Sequence, residues 1–201
     1  MTRDPQIYRH TIAWLWIAWA LFWLVMAIGT KRTQRREPPG SRLGYVLIGV
    51  IGGLLIAWRG LPWAPFMNLR LWPRAPLPYW IGVVVLIAGL AFAVWARVHL
   101  GSNWSGSVTV KEGHELIRTG PYGYVRHPIY TGLVAGLLGT AICSGTLRAA
   151  LGLVIITAAL TRKLRTEERF MRETFPAEYP DYAASVPALI PFARPRRSAP
   201  R

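Results

Sequence analysis

Residues 129–160 read IYTGLVAGLLGTAICSGTLRAALGLVIITAAL, an apolar tract with Ser144-Gly145 at its middle. The tract is too long for one membrane-spanning helix, which needs about twenty apolar residues. Divided at the Ser-Gly break, it predicts two helices of about sixteen residues, each about 24 Å long at 1.5 Å per residue, forming a hairpin of short spans. Gly132, Gly136 and Gly139 lie near the small-xxx-small spacing that lets two helix backbones approach in lipid, where burial alone drives nothing together.

Working outward, residues 11–29 (TIAWLWIAWALFWLVMAIG) carry no charge over about nineteen positions, a match to a hydrocarbon core of roughly 30 Å. A cleaved secretory signal would instead have a basic start, a shorter apolar segment and a small-residue cleavage site. Residues 43–58 and 79–98 are two further apolar runs. Composition agrees, because 52% hydrophobic residues and ten tryptophans in 201 residues exceed what a water-soluble core of this size needs. The expected fold is an all-α integral membrane protein with about five transmembrane helices and a C-terminal helical hairpin.

The lysines and arginines then set an orientation. Under this scheme one side receives Lys31, Arg32, Arg35, Arg36 and Arg42, then Arg97, Lys111, Arg118 and Arg126, then the nine from Arg162 to Arg201. The other side receives only Arg3, Arg9, Arg59, Arg70, Arg74 and Arg148. The richer side is expected in the cytoplasm, with the N-terminus outside. A net charge of +15 could suggest nucleic acid, but these cations flank apolar runs, and no recognition helix, zinc module or RNA-binding aromatic signature occurs. Membrane lipids with anionic headgroups are the expected partner. Cys143 is alone, so no intrachain disulfide forms; it is expected to pack in a helix.

Between the runs, residues 31–42 with Pro38-Pro39-Gly40 read as a cytoplasmic loop. Residues 61–78 hold five prolines amid tryptophans and read as an interfacial crossing without regular helix. Residues 101–128 form a polar loop in which 108–110 suit a short extended piece. Pro128 marks a helix start, where its missing N–H is harmless, so Arg126 and His127 stand at a helix N-terminus able to receive an anionic or polar ligand group. After the hairpin, residues 162–175 (RKLRTEERFMRETF) continue one helix out of the membrane. Glu167 and Glu168 lie about one turn from Lys163 and Arg165, and ordinary surface ion pairs would account for them. Residues 187–192 suit an aromatic tail folding back, and 193–201 a basic disordered end.

A hairpin returns the chain to the side it left. The loop before Ile129 and the helix after Leu160 therefore meet at one membrane surface, bringing His99, His114, His127, Glu112, Glu115, Glu167 and Glu168 within reach of one another. The run HELIRTGPYGYVRHPIYTG from His114 to Gly132 resembles the isoprenylcysteine carboxyl methyltransferase family and its phospholipid methyltransferase relatives. Glu167-Glu168, then Tyr179, Tyr182, Val186-Pro187 and Ile190-Pro191, follow in that family's order, and Gly101-Ser102-Asn103-Trp104 adds weaker support. Pro176 departs from it, standing where the family often has glycine.

The resemblance covers about residues 97–192 and implies a division into N-terminal transmembrane helices (1–96), a methyltransferase core (97–192) and the tail (193–201). It also implies a cytoplasmic cofactor pocket for S-adenosyl-L-methionine, lined by His114, Glu115, Leu116, Ile117, Tyr122, His127, Pro128, Ile129 and Tyr130 and completed by Glu167 or Glu168. Those residue types suit a ligand carrying a carboxylate, an ammonium, a diol, an adenine and a sulfonium. Arg165 or Arg162 would position an acceptor carboxylate by charge-assisted hydrogen bonds, with no metal required. The expected acceptor is lipophilic, a prenylated cysteine carboxylate first and a phospholipid amine as its alternative. A soluble-type glycine loop is absent, since Gly49, Gly52 and Gly53 lie inside an apolar run. Two rival readings are a membrane NADPH-dependent sterol-type reductase and a haem- or metal-binding protein using His99, His114 and His127, whose separations follow no strong ligand spacing.

Overall fold

The computed structural model describes residues 5–28, 33–36, 39–57, 64–104, 109–111 and 116–193. Six α-helices dominate: α1 (Pro5–Met26), α2 (Pro39–Ala57), α3 (Pro76–Leu100), α4 (Pro128–Ser144), α5 (Leu147–Thr174) and α6 (Tyr179–Ser185). Two short strands, β1 (Thr33–Arg36) and β2 (Thr109–Lys111), form an antiparallel pair. Proline opens α3 and α4 in the first turn, where no N–H is needed, and Gly145 ends α4 in the left-handed conformation at φ 60°. No proline interrupts α5, which therefore runs 28 residues from the hairpin turn into a charged C-terminal half.

Helix packing follows the small residues. The main partner of α4 is α3 and that of α5 is α2, while the two arms of the hairpin touch each other less. A Cβ on Gly89 would fall 2.5 Å from the Gly136 nitrogen and 2.6 Å from the Gly132 carbonyl, so glycine on both helices sets the α3–α4 distance. Gly52 and Gly152 do the same between α2 and α5, where a Cβ on Gly152 would lie 2.6 Å from the Gly52 carbonyl. Cys143 packs in α4 with its Sγ 3.3 Å from the Tyr79 carbonyl of α3. Helix α1 adds Trp16, whose indole N–H donates to Thr140 at 3.0 Å. The helices before residue 97 thus pack on those after it, and α3 runs through that boundary.

The connections alternate between two ends of the bundle. At one end the β1–β2 pair ties the α1–α2 connection to the α3–α4 connection. At the other, Arg70 and Thr146 bridge the α2–α3 and α4–α5 connections through Leu71 N–H to Gly145 O at 2.8 Å and Leu147 N–H to Leu69 O at 2.9 Å. Among the described residues, Pro76–Leu100 is long and apolar enough to cross a membrane, and His10–Met26, Arg42–Ala57 and Pro128–Ser144 are shorter apolar helices.

Two expectations need correction. Residues 33–36, read as loop, form a strand, because β2 supplies edge hydrogen-bonding groups that sequence periodicity cannot reveal. The proline-rich segment 61–78 yields three residues to α3, since Pro76 and Pro78 fall in the first turn, and Pro65–Asn68 makes a 3-10 turn. Trp63 and the tail 194–201 lie outside the described residues.

Candidate functional site

The site lies at the end of the bundle where α4 begins and α5 leaves its apolar half. His127 is the N-cap residue of α4, and Arg126 precedes it. Their backbone N–H groups donate to Pro187 O (2.9 Å, from Arg126) and Ala188 O (3.1 Å, from His127), while Thr131 Oγ1 donates to Leu189 O at 2.6 Å. The segment after α6 is thereby laid along the start of α4. Tyr179, Tyr182 and Ala183 of α6 are buried with Leu116, Met171, Phe175 and Val186 around them, which fixes the arm in place.

Glu167 and Glu168 reach this junction from α5. The His127 Nδ1 lies 3.5 Å from Glu167 Oε2, and its Nε2 lies 3.4 Å from Glu168 Oε1. Arg126 donates to Glu168 Oε1 through Nε at 2.9 Å and through a second guanidinium nitrogen. Its remaining nitrogen donates to Ala183 O at 3.0 Å and to Val186 O, satisfying carbonyls at the end of α6. Tyr130 donates to Glu167, and its ring lies nearly parallel to the His127 ring, 5.8 Å away. Lys163 stands between the rings of Tyr130 and Tyr45, at 5.4 and 5.7 Å, with Glu167 Oε1 3.9 Å from its Nζ.

Electrostatics follows from that packing. Burial alone would lower the His127 pKa, but the two adjacent carboxylates outweigh it and hold the imidazole above its ordinary value. Burial would raise Glu168, yet His127 and Arg126 pull it down to about 2. Glu167 is lowered against its own burial by His127, Lys163 and Tyr130. Burial and then the Glu167 charge push the Tyr122 hydroxyl far upward, and burial pushes Tyr182 up to about 12.

The structure therefore joins Tyr122, His127, Tyr130, Glu167 and Glu168. Pro128 is buried at the start of α4, Ile129 and Ile117 are half-buried, and Leu116 packs into the Tyr179–Tyr182 cluster. His114 and Glu115 lie outside the described residues. Arg162 and Arg165 are exposed, and neither guanidinium is bonded to the acidic pair; Arg162 sits by Gly44 of α2. The expected pair between Lys163 and Glu167 forms, but both side chains are largely shielded, and Glu168 turns inward to Arg126. Among the described residues, no group of three or more His, Cys, Asp or Glu side chains is placed to hold a metal ion.

Sequence reasoning left Arg126 and Lys163 outside the site, and it brought His99 near without saying what that side chain holds. Arg126 stands at the helix start, and nothing in the sequence shows that its guanidinium turns inward to Glu168. Lys163 was read as a solvated cation. His99, in the last turn of α3, bonds Thr119 Oγ1 through Nε2 at 2.9 Å and stacks on Tyr122 at 6.3 Å. Tyr182 donates to Tyr122 O at 2.7 Å, so the 3-10 turn Gly120–Gly123 is gripped from α3 and from α6.

The chain is thus a helical bundle that buries a histidine–arginine–diglutamate cluster at one end of its apolar helices. Residues 80–173 match the model of the isoprenylcysteine carboxyl methyltransferase (ICMT) family. A probable protein-S-isoprenylcysteine O-methyltransferase of Oryza sativa subsp. indica is 30% identical over 122 residues, 57% of this chain and 63% of that protein. The cobalt-zinc-cadmium resistance protein CzcN of Cupriavidus metallidurans is 30% identical over 114 residues, 56% of this chain and 51% of that protein. The protein-S-isoprenylcysteine O-methyltransferase of Schizosaccharomyces pombe is 26% identical over 92% of this chain and 86% of its own. The chain thus spans about half of the Cupriavidus protein and under two thirds of the rice one.

Proposed function

We propose that the chain is an S-adenosyl-L-methionine-dependent methyltransferase that modifies a lipophilic acceptor at the membrane face, the carboxylate of a prenylated cysteine being the acceptor its site favours. The observation that carries this reading is the meeting of His127 with Glu167 and Glu168, within 3.5 Å, across two arms of an apolar hairpin. In the same reading the chain is multi-pass, with about five spans, its N-terminus outside and the site facing the cytoplasm. The alternating connections and the one-sided Lys and Arg distribution support that topology.

The residues present fit the cofactor. His127 Nε2 is buried without a hydrogen-bond partner among the described residues, its carboxylate neighbour at 3.4 Å lying outside bonding geometry. Such an atom costs stability unless a ligand uses it. All hydrogen bonds and ion pairs of Glu168 to the described residues fall on Oε1, leaving Oε2 as an acceptor for an ammonium or a diol. Tyr122 and Tyr130 offer aromatic walls, Leu116, Ile117, Pro128 and Ile129 apolar ones, and His114 and Glu115 complete the set the family resemblance implies. When bound, S-adenosyl-L-methionine supplies an electrophilic methyl group on a sulfonium.

The chain's own task is then to align an acceptor and exclude water. A carboxylate acceptor is already nucleophilic near neutral pH, whereas an ammonium must first lose a proton. Glu168, held near 2, is too weak a base to take one, and the His127 imidazole is already engaged between Glu167 and Glu168. This favours a carboxylate over a phospholipid amine. Lys163, resting on Tyr45 and Tyr130, is the cation nearest the acidic pair on the α2 side, and Arg165 and Arg162 extend positive charge along the exposed flank of α5. The acceptor's apolar part would lie between helices.

The test is to incubate membranes containing the chain with methyl-tritiated cofactor and matched acceptors: farnesylcysteine analogues, a phospholipid amine and a soluble carboxylate. Tritium in the prenylcysteine ester, lost in His127→Ala, is expected. Incorporation into the amine alone would overturn the acceptor, and none into any lipophilic acceptor would overturn the activity.

A further inference from the structure

The turn that follows the C-terminal arm is built against the usual rules. Phe192 is 90% exposed, the most exposed large hydrophobic residue among those described, and Ile190 is 70% exposed. Phe192 also has φ 63°, and it is the sole non-glycine residue among those described with positive φ. A bulky side chain in that region is an outlier, and burying nothing in return gives it no packing compensation. The turn closes through Ala193 N–H to Ile190 O at 3.2 Å.

Its position is fixed from the other side. Thr131 donates to Leu189 O at 2.6 Å, and His127 N–H donates to Ala188 O at 3.1 Å, so the backbone just before the turn runs beside the first turn of α4. Thr131 is the fourth residue of an apolar helix, about 4.5 Å along its axis from Pro128. If α4 spans, Ile190 and Phe192 stand at the headgroup boundary and beside the site. Chemistry agrees with that level. No acidic residue occurs after Asp181, and Arg194, Arg196, Arg197 and Arg201 follow the turn in sequence. Apolar side chains beside a run of arginines suit an anionic bilayer surface.

We propose that Ile190-Pro191-Phe192 is an interfacial wedge that inserts into the bilayer and holds the C-terminal arm over the start of α4. The occupant of this apolar tip is lipid, and the proposal rests on the membrane-spanning reading above. Through Pro187, Ala188 and Leu189 the wedge is two to five residues from the backbone that pins Arg126 and His127, so bilayer contact braces the site's edge. Glycine would relieve the backbone at 192, and the presence of phenylalanine there is what the wedge explains.

The experiment uses the whole chain in vesicles of phosphatidylcholine and phosphatidylglycerol (3:1), in a Cys143→Ala background. Single spin labels are placed by Ile190→Cys, by Val84→Cys on the exposed face of α3, and by Asp181→Cys on the exposed side of α6. Collision with oxygen and with a water-soluble nickel chelate is then compared. The label at 190 is expected to match the label at 84, with an oxygen-to-nickel ratio several-fold above that at 181. Adding Phe192→Gly should shift the label at 190 toward water while leaving thermal stability unchanged or raised. A label at 190 that behaves like the one at 181, while 84 reports lipid, overturns the wedge and leaves the spans standing. Aqueous signals at both 84 and 190 overturn the spans and the wedge together.

Discussion

Replacing Arg126 by methionine keeps the length of the side chain and removes its charge and every donor. Two bonds to Glu168 and two to the Ala183 and Val186 carbonyls disappear together. Both side chains are largely shielded, at 9% and 16% exposure, so solvent screening discounts the loss only modestly. Deleting one partner of such a pair costs about 3–5 kcal/mol, because the other charge stays buried. The two carbonyls would add about 1–3 kcal/mol each if they stayed dry, but the arm relaxes toward water, so the lower figure stands for the whole. For a chain of this size that corresponds to a Tm drop of roughly 6–20 °C. Glu168→Gln keeps an acceptor oxygen and should cost only about 1.5–3 kcal/mol. A cycle with both changes should return a coupling of about 2–3 kcal/mol. The assay is thermal unfolding in lipid nanodiscs, paired with hydrogen exchange at the Arg126 and His127 amides, whose partners are Pro187 and Ala188. Unchanged melting and unchanged exchange in Arg126→Met would refute the view that this guanidinium clamps the arm to α5.

Three further outcomes are expected. His127 has a raised pKa, so its contribution to stability is full below its unfolded value of about 6.5 and is lost as pH rises through the folded value. Glu168 contributes fully above about 4.5 and loses it as pH falls toward about 2; stability should therefore be flat from about pH 4.5 to 6.5 and fall on both sides, and His127→Asn should abolish the alkaline fall. Gly132→Ala should cost about 1–3 kcal/mol in unfolding assays by forcing α4 off Gly89, while Gly53→Ala, with open space around its Cβ, should cost nothing measurable. His99→Ala should raise KM for the methyl donor several-fold with kcat less affected, and His99→Gln should restore part of it, because the bond to Thr119 and not a charge holds the Tyr122 turn; an equal loss in both variants would contradict a positioning role.

Long apolar runs made the helices legible, since lipid-facing and glycine-packed surfaces both need such runs. The hairpin was readable from Ser144-Gly145, and its consequence, that residues before 129 meet residues after 160, followed from topology alone. The identity of each helix's main partner was not readable, because Gly52, Gly89, Gly132 and Gly152 are interchangeable as letters and become specific only when backbones touch. Strand β1 was hidden for the reason that strand pairing is non-local and Thr33–Arg36 carries no apolar alternation. Within the site, His127 and the glutamates were legible as motif residues. Arg126 and Lys163 were not, because arginine and lysine look alike in sequence whether solvated or buried, and only the closing arm and the Tyr45–Tyr130 pair decide it. Arg165 and Arg162, expected to position an acceptor carboxylate, lie on the exposed flank of α5.

Equilibrium binding of tritiated S-adenosyl-L-methionine to the whole chain in nanodiscs tests the central claim most directly. The account predicts saturable binding by the unaltered chain, at least tenfold weaker in His127→Ala and Glu168→Gln. Glu178→Gln, which loses only the exposed 2.7 Å pair with Arg118, should bind as the unaltered chain does. Affinity that is the same in all four proteins, or no binding by any of them, would contradict it.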